Sequence, residues 1–149
     1  MKRLILALIP LLLLAAPAGA AQSDANLEQH HWKNRLLLLF APLENHATYQ
    51  ELLQSLDAAE GELADRDMVV FHLFEDKTGY VFGDAIRPES VTTLRERYNP
   101  DQGRLTLVLI GKDGGEKARQ VGSYDLEALF RRIDEMPMRK REMRQDKDE

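Results

Sequence analysis

Arg35-Leu36-Leu37-Leu38-Leu39-Phe40-Ala41-Pro42 is the stretch on which the fold turns. Leu36 to Phe40 are apolar without a polar alternation. A strand made of them must have both faces covered, as between two layers of helix. Leucine also suits helices, but the run is short and Pro42 stops it, which favours a strand. A second short run, Met68-Val69-Val70-Phe71-His72-Leu73-Phe74, is rich in strand formers. Between the two, Tyr49, Leu52, Leu53 and Leu56 fall at the i, i+3, i+4, i+7 spacing of one helix face. This predicts a helix over residues 45–60, with Asn45 as N-cap and Gly61 as its stop. Strand, helix, strand then implies a parallel pair joined by a right-handed crossover.

Downstream, Glu75 to Gly83 holds turn formers around Tyr80-Val81-Phe82 and reads as a loop with a brief strand. Pro88 starts a second helix, with Val91, Leu94 and Tyr98 facing inward and Asn99-Pro100 ending it. Arg104 to Ile110 is a third strand. Gly111-Lys112-Asp113-Gly114-Gly115 is a hairpin signal, because glycine accepts the positive φ of tight turns. Glu116 to Val121 returns antiparallel. Ser123 caps a last helix with the stripe Leu126, Leu129, Phe130 and Ile133, and Pro137 ends or kinks it. The expected fold is α/β: a thioredoxin-like three-layer βαβ–α–ββ–α arrangement, with an approximately four-stranded mixed sheet flanked by helices.

Upstream, Lys2 and Arg3 precede an apolar stretch from Leu4 to Leu14, and Ala18-Gly19-Ala20 supplies small residues at A-x-A spacing. Residues 1–20 therefore read as a secretory signal peptide, which directs the chain to the periplasm or outside the cell and leaves no stable membrane anchor after cleavage. Residues 21–29 read as a flexible leader and 30–138 as the domain. Residues 139–149, almost wholly charged, read as a frayed tail.

Lys and Arg number 20 against 25 Asp and Glu, a net charge of -5. Such a chain lacks the dense cationic face of a non-specific nucleic-acid binder. Its 149 residues contain no cysteine. Disulfides, zinc–thiolate and iron–sulfur centres and every thiol-based reaction are thereby excluded. A thioredoxin-like protein places its chemistry just after the first buried strand, where helix amides lower a thiol's pKa. Here that stretch, Ala41 to Ala47, has neither Cys nor Ser. The proline usual before the third strand is also missing, with Arg104-Leu105-Thr106 in its place.

Few other residues carry chemistry. His46, near the expected reaction site, is a candidate general base or metal ligand, although a lone histidine in a helix's first turn is most simply a polar surface residue. His30-His31 sits in the leader, where adjacent residues seldom reach one ion, and His72 reads as a packed strand residue. No catalytic residue, metal site or cofactor is assigned. His46, Arg66-Asp67, the hairpin group Lys112, Asp113, Lys117 and Arg119, and Arg139 are the candidates for a ligand- or partner-binding surface. Their ordinary role is salt-bridging and turn formation. Met136 and Met138, astride Pro137, suit core packing or an adaptable contact.

Several strings form an ordered series: Trp32-Lys33-Asn34-Arg35, Arg66-Asp67, Leu109-Ile110-Gly111-Lys112-Asp113-Gly114-Gly115, and Ile133-Asp134-Glu135-Met136-Pro137-Met138-Arg139 with Glu142-Met143. The series resembles a domain family of unknown function that occurs alone in exported bacterial proteins and repeated in animal extracellular-matrix proteins of the equarin and sushi-repeat group. The resemblance covers about residues 27–143. It implies a thioredoxin- or peroxiredoxin-like fold and supplies no catalytic residue. The expected function is an exported, non-catalytic module that binds a protein, a glycan or a small ligand. The alternatives are a cysteine-independent enzyme built on His46 and Arg66-Asp67, a redox-related peroxiredoxin-like protein in the periplasm, and a histidine-using metal or haem accessory protein.

Overall fold

A computed structural model describes residues 22–147; the signal sequence expected at 1–20 lies outside them. Six strands form one sheet: β1 (Arg35–Ala41), β2 (Met68–Phe74), β3 (Gly79–Val81), β4 (Asp84–Ala85), β5 (Thr106–Ile110) and β6 (Glu116–Val121). Their spatial order is β4-β3-β2-β1-β5-β6. β1 and β2 run parallel, with Arg35 opposite Met68 and Ala41 opposite Phe74, and the other neighbours are antiparallel. Among the described residues there are five α-helices: α1 (Ala47–Ala58), α2 (Glu60–Asp65), α3 (Pro88–Tyr98), α4 (Leu126–Asp134) and α5 (Pro137–Gln145).

The unalternating run in β1 has the reason the sequence implies. Leu36, Leu38 and Phe40 pack with Val91, Leu94 and Tyr98 of α3 on one face of the sheet. Leu37, Leu39 and Ala41 pack with Tyr49, Leu52 and Leu56 of α1 and with Leu129, Phe130 and Ile133 of α4 on the other. All seven residues of β1 are buried. The 111–115 turn joins β5 to β6 as expected. The Gly114 N–H donates to the Gly111 carbonyl at 2.9 Å, Asp113 Oδ1 accepts from the Gly115 N–H at 3.0 Å, and Gly114 sits at φ +80°, a region glycine enters without strain.

Four expectations need correction. The sheet has six strands rather than about four, because Gly79–Val81 and Asp84–Ala85 add a short hairpin beside β2. Residues 22–29 are not a free leader: Ser23 bridges to Ile86, Asn26 caps a 3-10 helix over Leu27–His30, and Leu27 is buried. The expected helix over 45–60 starts after His46, not Asn45, and breaks at Ala59. Gly61 then lies inside α2, at a spot where a Cβ would meet nothing, so glycine there costs only its helix propensity. The expected frayed tail is instead helical from Arg139 as far as Gln145. Pro137 takes the first helical position of α5, where its missing N–H is no loss, and the helix runs to Gln145.

Gly79 is fixed by packing. A Cβ there would stand 2.6 Å from the His72 carbonyl oxygen and 3.0 Å from Val91 Cγ2. Gly79→Ala therefore forces β3 off β2 or α3, and destabilises by about 1–3 kcal/mol in a denaturant titration, the usual cost of overpacking. An unchanged midpoint would mean that this strand pair is loose.

Candidate functional site

The two ends of β1 differ in chemistry. At its C-terminal end, where the thiol of a thioredoxin-like protein would stand, His46 is the N-cap of α1 but makes no capping bond. Its Nδ1 and the hydroxyl of Thr106, which pairs with Phe40, are buried without a hydrogen-bond partner among the described residues. His46 therefore has no residue to orient it as a base.

The candidates in the quoted strings gather at the other end. Arg35, 1% exposed, makes a two-pronged bond to Glu142, with Nη1–Oε2 at 3.1 Å and Nη2–Oε1 at 3.2 Å, and its Nη1 also donates to the Arg66 carbonyl. Lys112 Nζ bridges Glu142 at 2.8 Å and Asp67 at 2.7 Å. Burial pushes the Glu142 carboxyl up, but the bonds from Lys112 and Arg35 outweigh it and hold the group below the ordinary glutamate range. Asp67 sits in the left-handed region at φ 50°, which aspartate tolerates better than most residues, and so turns the chain from α2 into β2.

A second set of pairs adjoins the first. Arg66 reaches Asp134 at 2.7 Å and Glu62 at 2.5 Å, and its guanidinium lies over the Phe130 ring, 4.8 Å from the centroid. Burial lowers its pKa, while the bonds to Asp134 and Glu62 outweigh that and hold it above the ordinary value. Arg139, 3% exposed, binds the Asp65 carboxylate and carbonyl and approaches Asp134 at 3.4 Å and Glu142 at 3.8 Å. These contacts pin α5 across the N-terminal ends of β1 and β2. The remaining hairpin candidates make pairs of their own. Lys117 pairs with Asp113 at 2.7 Å within the hairpin, and its bond is the main reason the Asp113 carboxyl lies below its usual range. Arg119 pairs locally with Glu116 at 2.9 Å on β6 and does not join the network.

Beside the network lies a recess of about 340 Å³ between the 111–117 hairpin and the α4–α5 corner. Arg35, Lys112, Lys117, Arg132 and Arg141 bring positive charge to it, against Asp113 and Glu135, and Met136, Pro137 and Met138 form an apolar wall. Among the described residues no group of three or more His, Asp or Glu is placed to hold a metal ion. His30 Nδ1 instead bonds Asn34 Oδ1 at 3.1 Å, and His31 packs on Gly114.

One constellation escaped the sequence reading. His72 is packed, as expected, but it also takes part in a polar trio. Tyr49 Oη lies 2.9 Å from His72 Nδ1 and 2.5 Å from Tyr80 Oη, and the His72 and Tyr80 rings stack at 4.2 Å. Burial lowers the His72 pKa to about 4, and burial raises both tyrosines above their ordinary value. No spacing rule links residues from α1, β2 and β3, so only the fold reveals the trio.

Comparison with known proteins agrees with this architecture. The reduced 2-Cys peroxiredoxin of Plasmodium vivax matches with a TM-score of 0.56 at 18% identity, over 72% of this chain and 80% of that one. At that identity the likeness carries the fold alone. The sushi repeat-containing protein SRPX of Rattus norvegicus and that of Homo sapiens are each 30% identical over 128 residues, 84% of this chain but only 28% of theirs. The chain thus spans little more than a quarter of the length of these relatives. Residues 26–142 match the family described as Domain of unknown function (DUF4174). With the match running from the 3-10 helix to the glutamate that holds Arg35, the chain belongs to the DUF4174 family.

Proposed function

We propose that the chain is an exported, non-catalytic binding module on a thioredoxin-like scaffold, working in the periplasm or outside the cell. One observation supports it above the others. Arg35, Arg66, Asp67, Lys112, Asp134, Arg139 and Glu142, drawn from the strings that carry the family resemblance, meet in one ion-paired network beside a recess. The other end of β1, meanwhile, offers no thiol. The enzyme alternative required His46 and Arg66-Asp67 to converge. Asp67 accepts from the Arg35 N–H at the start of β1, whereas His46 follows its end, about 20 Å away at the rise of an extended strand. Those residues do not form one site.

The test is to recover the chain from the exported fraction of its host under gentle conditions and examine it by native mass spectrometry. The expected result is a mature N-terminus at Ala21 and a non-covalent ligand or partner released chemically unchanged. Conversion of the released molecule by fresh protein, at a rate abolished by one substitution, overturns the reading.

A further inference from the structure

We propose that the recess between the 111–117 hairpin and the α4–α5 corner binds a small organic anion, its acidic head held by the cations and its apolar body laid on Met136, Pro137 and Met138. This deepens the binding-module reading and rests on it. Its volume of about 340 Å³ is at the small end for ligand pockets, which run from roughly 300 to 1,000 Å³. A metabolite-sized guest fits that space, whereas a folded partner would not enter it.

Charge selects the sign of the guest. Five cations line the recess against two carboxylates, in a chain whose net charge is -5. Some of that positive charge is already used, by Lys117 on Asp113 and by Arg35 and Lys112 on Glu142. Arg132 and Arg141, both exposed, make no salt bridge among the described residues. They stand at the rim, free to close on an anion.

A buried cation lines the recess. Arg35 is 1% exposed, lines the recess, and has its Nε buried without a partner among the described residues. Buried donors are rarely left unmade, because the unsatisfied group keeps its desolvation penalty. Nε is sealed from solvent, so a guest's acceptor oxygen satisfies it only where the Arg35 side chain shifts towards the recess. The first turn of α5 borders the same space through Pro137 and Met138, and no side chain caps that helix. Its open N–H groups and positive dipole end favour the same charge. Bare inorganic anions would leave the methionine wall unused. An organic acid uses both halves, and methionine adapts to irregular apolar shapes.

The experiment is calorimetric titration of the full mature chain at low ionic strength with hexanoate, phenylacetate, inorganic phosphate and neutral hexanol. At least one of the two organic acids should saturate a single site and raise the melting temperature, since a ligand of the native state alone stabilises it. Phosphate should bind at least ~10-fold more weakly, and hexanol not at all. Arg132→Glu and Arg141→Glu should each weaken the organic acid by ~10-fold, the loss of one charge-assisted hydrogen bond. Neither residue belongs to the ion-paired network, so the unfolding midpoints of the free variants should match the parent. Three results overturn the proposal: no probe saturates, hexanol or phosphate binds as tightly as the acids, or both reversals leave affinity unchanged. None of these touches the broader reading, which falls only if the molecule recovered from the exported fraction is turned over.

Discussion

Glu142→Ala lowers the stability of the folded chain by about 3–5 kcal/mol, the cost of stranding one partner of a buried ion pair. Glu142 accepts from both terminal nitrogens of Arg35 and from Lys112, and it faces Arg139 at 3.8 Å. Without it, Lys112 keeps Asp67 and Arg139 keeps Asp65 and Asp134. Arg35 keeps only the Arg66 carbonyl, with water shut out by 1% exposure. The lower end of the range is expected, because about a fifth of the Glu142 side chain reaches solvent. Glu142→Gln retains an acceptor but loses the charge, so it falls between the parent and alanine. Urea unfolding followed by circular dichroism measures both variants. A loss below 1 kcal/mol for alanine would show that α5 is not fastened through this pair.

That prediction concerns a segment whose composition argued against order. Residues 139–149 are nearly all charged, and charge-rich sequence without apolar periodicity reads as solvated chain. What orders α5 is the set of residues waiting for it: Asp65, Arg35 and Lys112 lie 30 to 107 positions away along the chain. A local pattern cannot show such partners. Where the signal was local, it sufficed. The five-residue apolar run of β1, the i, i+3, i+4, i+7 stripe of α1, the glycines at 111, 114 and 115 and the stripe of α4 each encode their own environment. The β3–β4 hairpin was only half legible because its strands are three and two residues long, too short for a period to register. Among the candidate residues, Arg66, Asp67, Lys112 and Arg139 converge as a network because charge pairing drives them together. His46, chosen by its place in the chain, is left alone at the other end of β1.

Acidification from pH 7 towards pH 4 weakens the fold through His72, by about 2–3 kcal/mol. Burial holds the folded-state pKa at about 4 against an ordinary 6.5. Between these values the unfolded chain binds a proton at this site and the native chain does not. Stability therefore rises with pH across the window and falls as pH drops through it, reaching its full loss near pH 4. The full difference corresponds to about 3 kcal/mol at 1.36 kcal/mol per unit, reduced here because the side chain is not completely sealed. The groups facing His72 give it no compensation. Tyr49 from α1 and Tyr80 from β3 both stay protonated, their pKa values raised first by burial. The Tyr49 hydroxyl can donate to neutral Nδ1 while accepting from Tyr80; a proton on Nδ1 removes that acceptor and breaks the chain of bonds. A second loss sets in as pH falls past the ordinary glutamate value of 4.5, because the unfolded chain then binds a proton that native Glu142, its pKa held lower, does not. His72→Asn keeps an acceptor oriented towards Tyr49 but cannot titrate, so its unfolding midpoint should be flat between pH 6.5 and about pH 5 and retain only the more acidic limb. A flat profile in the parent, or a slope that survives the substitution, would place the proton uptake on another residue.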